Sequence, residues 1–472
     1  MEKYKIYAAG HFIEGSGKLV VRKPADSTVF AEASLADAGL LNVAIEAAQQ
    51  AAPLMKKMPS HQRRTILNTI ADGLTGQHDL FTRILCQEAG KPYRYSAAEV
   101  DRAIQVFRVA AEEAGRIPGE YLKLDWTSAG EGKEGWVRYV PVGVVGAISP
   151  FNFPLNLSAH KLAPAIASGN SIILKPASQT PIAMLELARI IDATSLPKGS
   201  VSILPMDRAT GSLLVTDPRI NMLTFTGSPE VGWKLKELAS RKKVTLELGG
   251  NAAILICRTA DVEVAVNKCV AGAFAYSGQL CIHVQRIYVM RELFDVFVSR
   301  FIERTLKLTA GDPLDPATDI ASMIDESNAL RIESWVSEAL QGGARILAGG
   351  HRNGSFFEPT ILTGTRNDMK VSCLEAFAPV VLIEPVDSCG EGINRINDSA
   401  FGLQAGVFTN EISEMNRAFD ELEVGGVIIN DVSTFRVDHM PYGGVKESGF
   451  GREGVRYAML DMMEPRLLVK NQ

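Results

Sequence analysis

Short runs rich in β-branched residues alternate with longer segments whose apolar residues return every three or four positions. This alternation is typical of parallel strands joined by crossover helices, so we predict an α/β fold. The predicted strands are 142–148, 171–174, 201–204, 222–225, 253–256, 286–289 and 427–429. The predicted helices are 40–53, 62–77, 96–114, 181–194, 262–275, 291–308 and 326–341.

Length and charge narrow the class of protein. A chain of 472 residues, 46% of them hydrophobic, is too long for one ordinary domain, and we predict two large ones. The formal net charge of -5 gives no basic excess for nucleic acid. The most apolar stretch, 140–149, is shorter than a membrane span, and residues 1–10 contain no secretory apolar run. We therefore predict no nucleic-acid or membrane partner and a cytoplasmic location.

Six cysteines are scattered along the chain without CxxC pairs or histidines at ligand spacing. This distribution argues against a zinc site and against a disulfide framework. We predict that the chain holds no metal and that most of these cysteines are reduced, buried residues. A separate turn-rich stretch, 125–135, precedes the alternating run 136–140 and predicts a hairpin that leaves the main body.

Two motifs end predicted strands with polar side chains. Asn152 in ISPFNFP follows an apolar strand, and its uncharged amide is suited to stabilising an oxyanion, although a helix-capping asparagine is an alternative. Lys175 in SIILKPASQTP ends another strand, where open α/β sheets bind nucleotides. Taken alone, Lys175 is better explained as a solvated surface lysine.

Two further motifs contain glycine turns. Gly227 and Ser228 in TFTGSPEVG join a strand to a helix start, a geometry that suits a pyrophosphate, although the spelling is not GxGxxG. Glu247 in VTLELGGN lies within an apolar strand, where desolvation raises a carboxyl pKa toward that of a general base. The alternative for Glu247 is a structural, ion-paired glutamate.

Cys281 in YSGQLCIHVQR lies between a glycine turn and a strand. A thiolate is a strong nucleophile, and nearby backbone N–H groups both lower its pKa and bind an oxyanion. Most cysteines are inert, so the surrounding motif has to carry the interpretation. The segments LEAFAPV (374–380) and PYGGVKESGFGREG (441–454), taken singly, are charged loops with turn glycines.

Together and in this order, these seven segments resemble the aldehyde dehydrogenase superfamily over nearly the whole chain. Within that superfamily they resemble the non-acylating, NAD(P)-dependent members. The similarity is to the lactaldehyde, succinate-semialdehyde and phosphonoacetaldehyde types. The resemblance implies two Rossmann-like parallel-sheet domains with a small oligomerisation hairpin. It also implies that Cys281 is the nucleophile, Glu247 the general base and Asn152 the oxyanion donor, with Lys161 and Glu453 as a proton relay behind the base.

The resemblance also implies the cofactor site and the domain limits. NAD or NADP would bind along Ser149, Pro150, Phe151, Lys175, Ser178, Gly227, Ser228, Leu248, Glu375 and Phe377. The cofactor domain would comprise 1–120 and 141–247, and the catalytic domain 248–447. Segments 121–140 and 458–472 would form the oligomerisation arm of a homodimer or homotetramer.

The chain departs from the family pattern at points that bear on the cofactor and the substrate. Ser178 stands where NAD-specific relatives commonly have a glutamate that repels a 2′-phosphate, so we predict that NADP is tolerated, with Arg208 assisting. Leu374 and Ala378 replace an acid and a glycine, but the ribose-binding Glu375 is retained. We expect function to survive both changes.

The substrate is predicted only as a small aldehyde. Four polar residues would bind an anionic group on it, namely Arg108, His160, His283 and Arg436. Alternatively, the histidines are packed, hydrogen-bonded residues and the arginines form surface pairs. Family members that oxidise phosphorylated trioses have a cation immediately before the nucleophile. This chain has Leu280 there, which disfavours a phosphorylated triose as the substrate. Rival activities are a CoA-acylating dehydrogenase, which Glu247 argues against, a cofactor-independent esterase and an inactive structural protein.

Overall fold

In the computed structural model, which describes residues 2–471, two large sheets lie side by side, each covered by helices. Within those residues there are fifteen α-helices: Ala38–Lys57, Ser60–Gly76, His78–Ala89, Tyr93–Glu113, Pro154–Ser168, Ile182–Asp192, Arg208–Thr216, Pro229–Leu238, Val262–Phe274, Arg291–Thr305, Glu326–Gln341, Lys370–Cys373, Cys389–Asn397, Ile412–Glu421 and Val455–Asp461. Ser128–Gly130 and Ala275–Gly278 are short 3₁₀ turns. None of the described helices has both the length and the apolar character needed to cross a membrane.

The first sheet has eight strands, and its five central strands are parallel. Their order across the sheet is Gly449–Phe450, Lys243–Glu247, Met222–Thr226, Val144–Ile148, Ser171–Lys175, Val201–Ile203, Ile6–Ala8 and His11–Ile13. The central strands are buried on both faces, as expected for a sheet covered by crossover helices. This sheet brings the ends of the predicted Asn152, Lys175, Gly227 and Glu247 motifs to one edge.

The second sheet has seven strands and begins five residues after the first sheet's last parallel strand. Its order is Arg345–Ala348, Thr360–Thr363, Val380–Val386, Arg286–Met290, Ala253–Ile256, Gln404–Phe408 and Gly426–Ile429, and only the first pair is antiparallel. The α/β prediction with two parallel-sheet domains is therefore confirmed. The domain limits are consistent with this division but remain a prediction.

The predicted hairpin forms a separate three-stranded antiparallel sheet, in the order Met463–Asn471, Lys133–Pro141 and Gly119–Lys123. Its C-terminal strand begins at Met463, directly after the helix Val455–Asp461, whose residues Val455 and Met459 pack into the first domain's core. The smaller sheets pair Glu2–Tyr4, Val29–Leu35 and Gly17–Arg22, then Arg352–Asn353 with Phe356–Phe357, and Phe401–Gly402 with Val445–Lys446.

One helix of the first domain, Pro154–Ser168, is buried along its whole length. Its amino end follows directly on the Asn152 loop, and its flanks pack against the helices Tyr93–Glu113 and Val455–Asp461. A helix that is buried on every side holds its first turn firmly, because it has no solvent face on which to move. The loop before it is therefore anchored to the core of the domain.

Candidate active site

A cleft of about 680 Å³ opens at the carboxyl edge of the first sheet and is closed from the other side by the second domain. Parallel strands end on one side of a sheet, so polar residues that follow different strands meet there. All ten residues predicted to contact the cofactor line this cleft, and so do Asn152, Glu247 and Cys281. Lys161 and Glu453 lie behind it, fully buried.

The loop that carries Asn152 contacts the loop that carries Cys281. The Asn152 Nδ2 atom donates a hydrogen bond of 2.9 Å to the backbone oxygen of Gln279, two residues before the cysteine. Asn152 does not cap the following helix, whose N-cap is Phe153 and has no side-chain cap bond. The capping alternative is thus excluded, and the amide lies beside the Cys281 loop.

The Cys281 loop is held in an unusual backbone conformation. Tyr276 and Ser277 have φ angles of 47° and 53°, in the left-handed region that non-glycine residues seldom adopt. The Tyr276 hydroxyl donates to the Ala89 backbone oxygen at 2.8 Å, and the Ser277 hydroxyl donates to the Ala321 oxygen at 2.7 Å. These buried bonds hold the turn and so fix the position of Cys281.

The Cys281 sulfur lies 3.0 Å from the hydroxyl oxygen of Tyr442. Burial raises the pKa of the Cys281 thiol to about 11, although the Tyr442 hydroxyl and Arg436 oppose that rise. The thiol is therefore neutral near pH 7. An attack by sulfur requires a base that removes the proton.

Glu247 lines the same cleft as Cys281 and is the candidate for that base. Both of its carboxylate oxygens are buried and have no hydrogen-bond partner among the described residues. Burial, together with repulsion from Glu453, raises the pKa of the Glu247 carboxyl well above its usual value. The alternative of an ion-paired structural glutamate is not what the structure shows.

A buried polar chain lies behind Glu247. The Lys161 ammonium donates to Glu453 at 3.1 Å, to the Thr226 hydroxyl at 2.7 Å and to the Thr224 hydroxyl at 3.1 Å. Burial favours the neutral form of Glu453, but Lys161 and Arg436 outweigh it and hold the pKa of that carboxyl at about 2. The chain therefore contains a fixed anion next to groups that can exchange protons.

A second buried ion pair, Lys91 with Glu99, supports the Asn152 loop. The other Glu99 oxygen accepts from the backbone N–H groups of Leu155 and Asn156, at 2.9 and 3.1 Å, in the first turn of the buried helix. The Lys91 ammonium lies 3.7 Å from the centre of the Phe153 ring and 4.5 Å from that of Tyr276. This pair thus contacts both loops that carry catalytic candidates.

The crossing between the two domains, residues 248–252, runs through the cleft. A Cβ atom on Gly249 would lie 2.3 Å from the Glu375 carboxylate, and one on Gly250 would lie 2.6 Å from the Cys281 backbone oxygen. The Gly250 N–H donates to Glu375 at 3.1 Å. Only glycines allow the crossing to approach both the acid and the nucleophile so closely.

These contacts suit a dinucleotide. Burial raises the pKa of Glu375 to about 7, and its carboxyl is free to bond a ribose hydroxyl beyond the Gly250 contact. The Phe377 ring meets the Phe151 ring edge to face at 5.7 Å and forms one wall of the cleft. Lys175 and Arg208 line the opposite part of the same cleft. The residues present therefore fit NAD or NADP.

Two of the four predicted substrate residues lie near the nucleophile. The Arg436 guanidinium stacks 3.7 Å from the centre of the Tyr442 ring, and its Nη2 donates to Glu453 at 3.2 Å. The His160 Nε2 atom donates to Asp438 at 2.8 Å. Both side chains are buried, so Arg436 does not form the surface pair of the alternative, whereas His160 is a packed, hydrogen-bonded histidine.

The other two do not reach the site. Arg108 points to solvent from the helix Tyr93–Glu113 and pairs with Asp72 at 2.9 Å, because its position falls outside the buried stripe of that helix. His283 is buried and does not line the cleft, and burial lowers its pKa to about 4. We therefore withdraw both as substrate ligands.

The sequence reasoning missed three contributors. Tyr442 contacts the Cys281 sulfur, Asp438 joins His160 to Arg102, and the Lys91–Glu99 pair holds the loops. Arg102 donates to Asp438 at 2.7 and 3.3 Å from the same helix as Arg108. Tyr442 lies in the segment 441–454, which taken singly is a charged loop with turn glycines, and its sequence alone gives no indication of these contacts.

The edge of a parallel sheet, a dinucleotide-sized cleft and a cysteine beside it define an NAD(P)-dependent oxidoreductase with an α/β fold. The sequence matches the aldehyde dehydrogenase family over residues 12–468. It is 44% identical to the 3-sulfolactaldehyde dehydrogenase of Priestia aryabhattai, over 100% of this chain and 98% of the relative.

Solved structures agree with this match. The crystal structure of aldehyde dehydrogenase 21 from Physcomitrella patens in complex with the reaction product succinate is 40% identical, with a TM-score of 0.98, over 100% of this chain and 98% of the other. The NADP-dependent glyceraldehyde-3-phosphate dehydrogenase from Bacillus halodurans C-125, complexed with NADP, is 34% identical with a TM-score of 0.97, and each chain is covered in full. The chain belongs to the aldehyde dehydrogenase family and is an NAD(P)-dependent enzyme.

Proposed function

We propose that this enzyme oxidises a small aldehyde to its carboxylic acid through covalent catalysis at Cys281. The observation that carries the proposal is Glu247, whose buried carboxylate oxygens lack partners in the cleft that also holds the Cys281 sulfur. A buried carboxylate without hydrogen bonds is costly in a purely structural role. It is instead the arrangement expected of a base whose partners are a thiol and, later, a water molecule.

The residues act in a fixed order. Glu247 removes the Cys281 proton, and the thiolate adds to the aldehyde carbon. The Asn152 amide donates to the oxygen that becomes negative in the thiohemiacetal. The chemistry that a bound nicotinamide would supply is acceptance of a hydride from the thiohemiacetal carbon, which would leave a thioester on Cys281. Glu247 then takes a proton from water, which attacks the thioester and releases the acid.

Lys161 and Glu453 serve Glu247 as a relay. The Thr226 hydroxyl accepts from Lys161, and the Glu453 carboxylate lies close enough to Glu247 to raise its pKa. A proton leaving Glu247 after deacylation therefore meets a chain of exchangeable groups and not an apolar wall. This would let the base reset without opening the cleft to solvent.

For the cofactor, Lys175 and Ser178 would meet the adenosine ribose, Gly227 and Ser228 the pyrophosphate, and Glu375 the nicotinamide ribose. Ser178 does not repel a 2′-phosphate, and Lys175 and Arg208 offer two cations on that side of the cleft. We propose that NADP is accepted. Ser178→Glu should lower the ratio of kcat/KM for NADP to that for NAD by roughly tenfold or more. An unchanged ratio would show that Ser178 does not determine the preference between NADP and NAD.

The substrate we propose carries an anion close to its aldehyde. Three cations, Arg102, Lys161 and Arg436, are linked by ion pairs to two anions, Asp438 and Glu453. Apart from Glu247, which gains and loses a proton as the base, this cluster carries an excess of one positive charge. A carboxylate or sulfonate would neutralise it, which fits relatives named for 3-sulfolactaldehyde and a product complex with succinate.

The covalent step is tested with two variants. Cys281→Ala should abolish oxidation and leave cofactor binding by fluorescence intact. Glu247→Gln should slow steady turnover by about 10²–10⁴-fold, with a thioester accumulating on Cys281 that mass spectrometry of the quenched protein detects. Near-normal turnover in Cys281→Ala would exclude the covalent mechanism, and turnover without nicotinamide would favour the esterase.

The anion is tested by comparing 3-sulfolactaldehyde and succinate semialdehyde with neutral aldehydes of equal length. Arg102→Gln should lower kcat/KM for the charged aldehydes roughly tenfold or more, and that for the neutral ones far less. Arg108→Gln, on the solvent face of the same helix, is the matched control and should change neither. Equal losses for charged and neutral aldehydes would assign Arg102 to structure alone.

We propose further that the three-stranded arm joins subunits in the cytoplasm as a dimer or tetramer. Tyr121, Leu467, Leu468 and Val469 are about half exposed on that sheet. A run of exposed apolar residues at a sheet edge is a typical subunit contact. Leu468→Asp should reduce the mass measured by light scattering toward that of a monomer.

A further inference from the structure

Two cysteines and a glutamate converge at a second location, outside the catalytic cleft. The Sγ atoms of Cys257 and Cys389 and a carboxylate oxygen of Glu414 lie within 4.8 Å of one another. Cys257 directly follows the strand Ala253–Ile256, Cys389 begins the helix Cys389–Asn397, and Glu414 lies in the first turn of the helix Ile412–Glu421. The three residues therefore meet where parallel strands of the second sheet end.

The two thiols differ in access and in charge. Cys257 is fully buried, whereas Cys389 is half-buried. Cys389 is the first helical residue after the N-cap Ser388, and the positive end of a helix stabilises a thiolate there. A hydrogen bond from the Cys257 thiol also lowers the pKa of Cys389. The accessible sulfur is thus the more nucleophilic one, with a protonated thiol beside it.

We propose that Cys257 and Cys389 form a reactive dithiol which a hydroperoxide converts into a disulfide. The Cys389 thiolate attacks the peroxide oxygen, the O–O bond breaks, and Cys389 becomes a sulfenic acid while the peroxide leaves as hydroxide or alkoxide. The Cys257 sulfur then attacks the Cys389 sulfur, the S–O bond breaks, and hydroxide leaves and is protonated to water. The two thiols lose two electrons and the peroxide gains them.

Glu414 has a role in the second step. One carboxylate oxygen accepts from the Thr409 hydroxyl at 2.5 Å, which holds the side chain beside both sulfurs. The hydrogen bond to Cys389, burial and the Glu414 charge raise the pKa of Cys257 well above its usual value. Cys257 therefore stays protonated until Cys389 is oxidised, and Glu414 is the group placed to take its proton.

The test uses the full-length wild-type protein with hydrogen peroxide in small excess, followed by alkylation and peptide mapping without reduction. The expected product is a peptide pair cross-linked through Cys257 and Cys389, which disappears after treatment with dithiothreitol. Cys373, which is half-buried and is not part of this cluster, is the internal control and should react more slowly. Absence of the cross-linked pair, or equal labelling of Cys389 and Cys373, would overturn the proposal.

Variants separate the two steps. Cys257→Ser should stop at sulfenic or sulfinic acid on Cys389, and Glu414→Gln should slow the cross-link several-fold while Cys389 is still oxidised. Oxidised wild type should unfold at least about 3 °C higher than the reduced protein, because the bond ties two distant segments. One zinc ion retained per chain in native mass spectra, with thiols that then resist peroxide, would instead make the cluster a metal site and overturn the proposal.

Discussion

The protein contains two buried lysine–glutamate pairs near the active-site cleft, and the two pairs have different roles. Lys91–Glu99 and Lys161–Glu453 have the same composition, and all four side chains are almost fully buried. Glu99 is enclosed by backbone N–H groups and Lys91 by aromatic rings. Lys161 is instead surrounded by hydroxyls, and Glu453 by Arg436 and the unpartnered Glu247.

The difference shows what a buried ion pair can do. The first pair contacts donors and rings that do not exchange protons, so its effect is to fix geometry, here that of the Asn152 and Cys281 loops. The second pair contacts groups that share protons and lies next to a carboxyl with a raised pKa. The neighbours of each pair, and not the pair itself, decide whether it holds a loop or relays a proton.

The largest expected effect comes from breaking the first pair. Lys91→Met leaves the Glu99 carboxylate without its cation inside the protein, which should lower the free energy of unfolding by about 3–5 kcal/mol. Chemical denaturation measures this loss. If Lys91→Met unfolds at the wild-type denaturant concentration, the Lys91–Glu99 pair does not hold the two loops, and its role does not differ from that of Lys161–Glu453 in the way described.

A double variant sharpens that result. In Lys91→Met with Glu99→Gln the amide oxygen still accepts from the Leu155 and Asn156 N–H groups, and no charge is left unpaired. Most of the stability should return. The remaining effect should fall on kcat more than on KM, since Asn152 acts on the transition state.

Breaking the second pair should affect catalysis before stability. Glu453→Gln removes the repulsion that raises the Glu247 pKa, so Glu247 ionises at lower pH and the acid limb of the kcat profile moves to lower pH. Because the relay is interrupted, kcat at its optimum should fall about tenfold to a hundredfold. A pH profile that falls in height without moving would show that Glu453 does not act on Glu247.

The smallest change concerns one hydroxyl. Thr226→Val keeps the shape of the side chain and removes the group that accepts from Lys161 at 2.7 Å. We expect a fall in kcat of about twofold to tenfold, the weight of one hydrogen bond, and a larger solvent isotope effect. Thr245→Val, which removes a partly buried hydroxyl bonded to Asp461, is the control and should leave both unchanged.

The regular elements were predictable because local periodicity determines them. The helix Glu326–Gln341 and the strand Ala253–Ile256 have the predicted bounds. The strand predicted from 142 begins at Val144, since Gly143 adopts a φ of 124° and turns the chain. Local patterns therefore gave the elements, and the resemblance gave the placement of the cleft residues.

The contacts between distant segments were not predictable from spelling. Arg102 and Arg108 lie on one helix, yet one faces Asp438 and the other faces solvent. Cys257 and Cys389 are far apart in the sequence, yet the ends of two elements bring them together. Such pairs depend on which strand ends meet across the fold, which periodicity in one segment does not encode.

The crossing at 248–252 limits how this architecture can be rearranged. Gly249 lies against the Glu375 carboxylate, and Gly250 lies against the Cys281 backbone oxygen. The segment that links the two sheets therefore also lines the cleft. A chimaera of two relatives that joins their halves at this segment would therefore also change the contacts with Glu375 and Cys281. Viable chimaeras should therefore have their breakpoints elsewhere, for example in the exposed turn 125–132 of the arm.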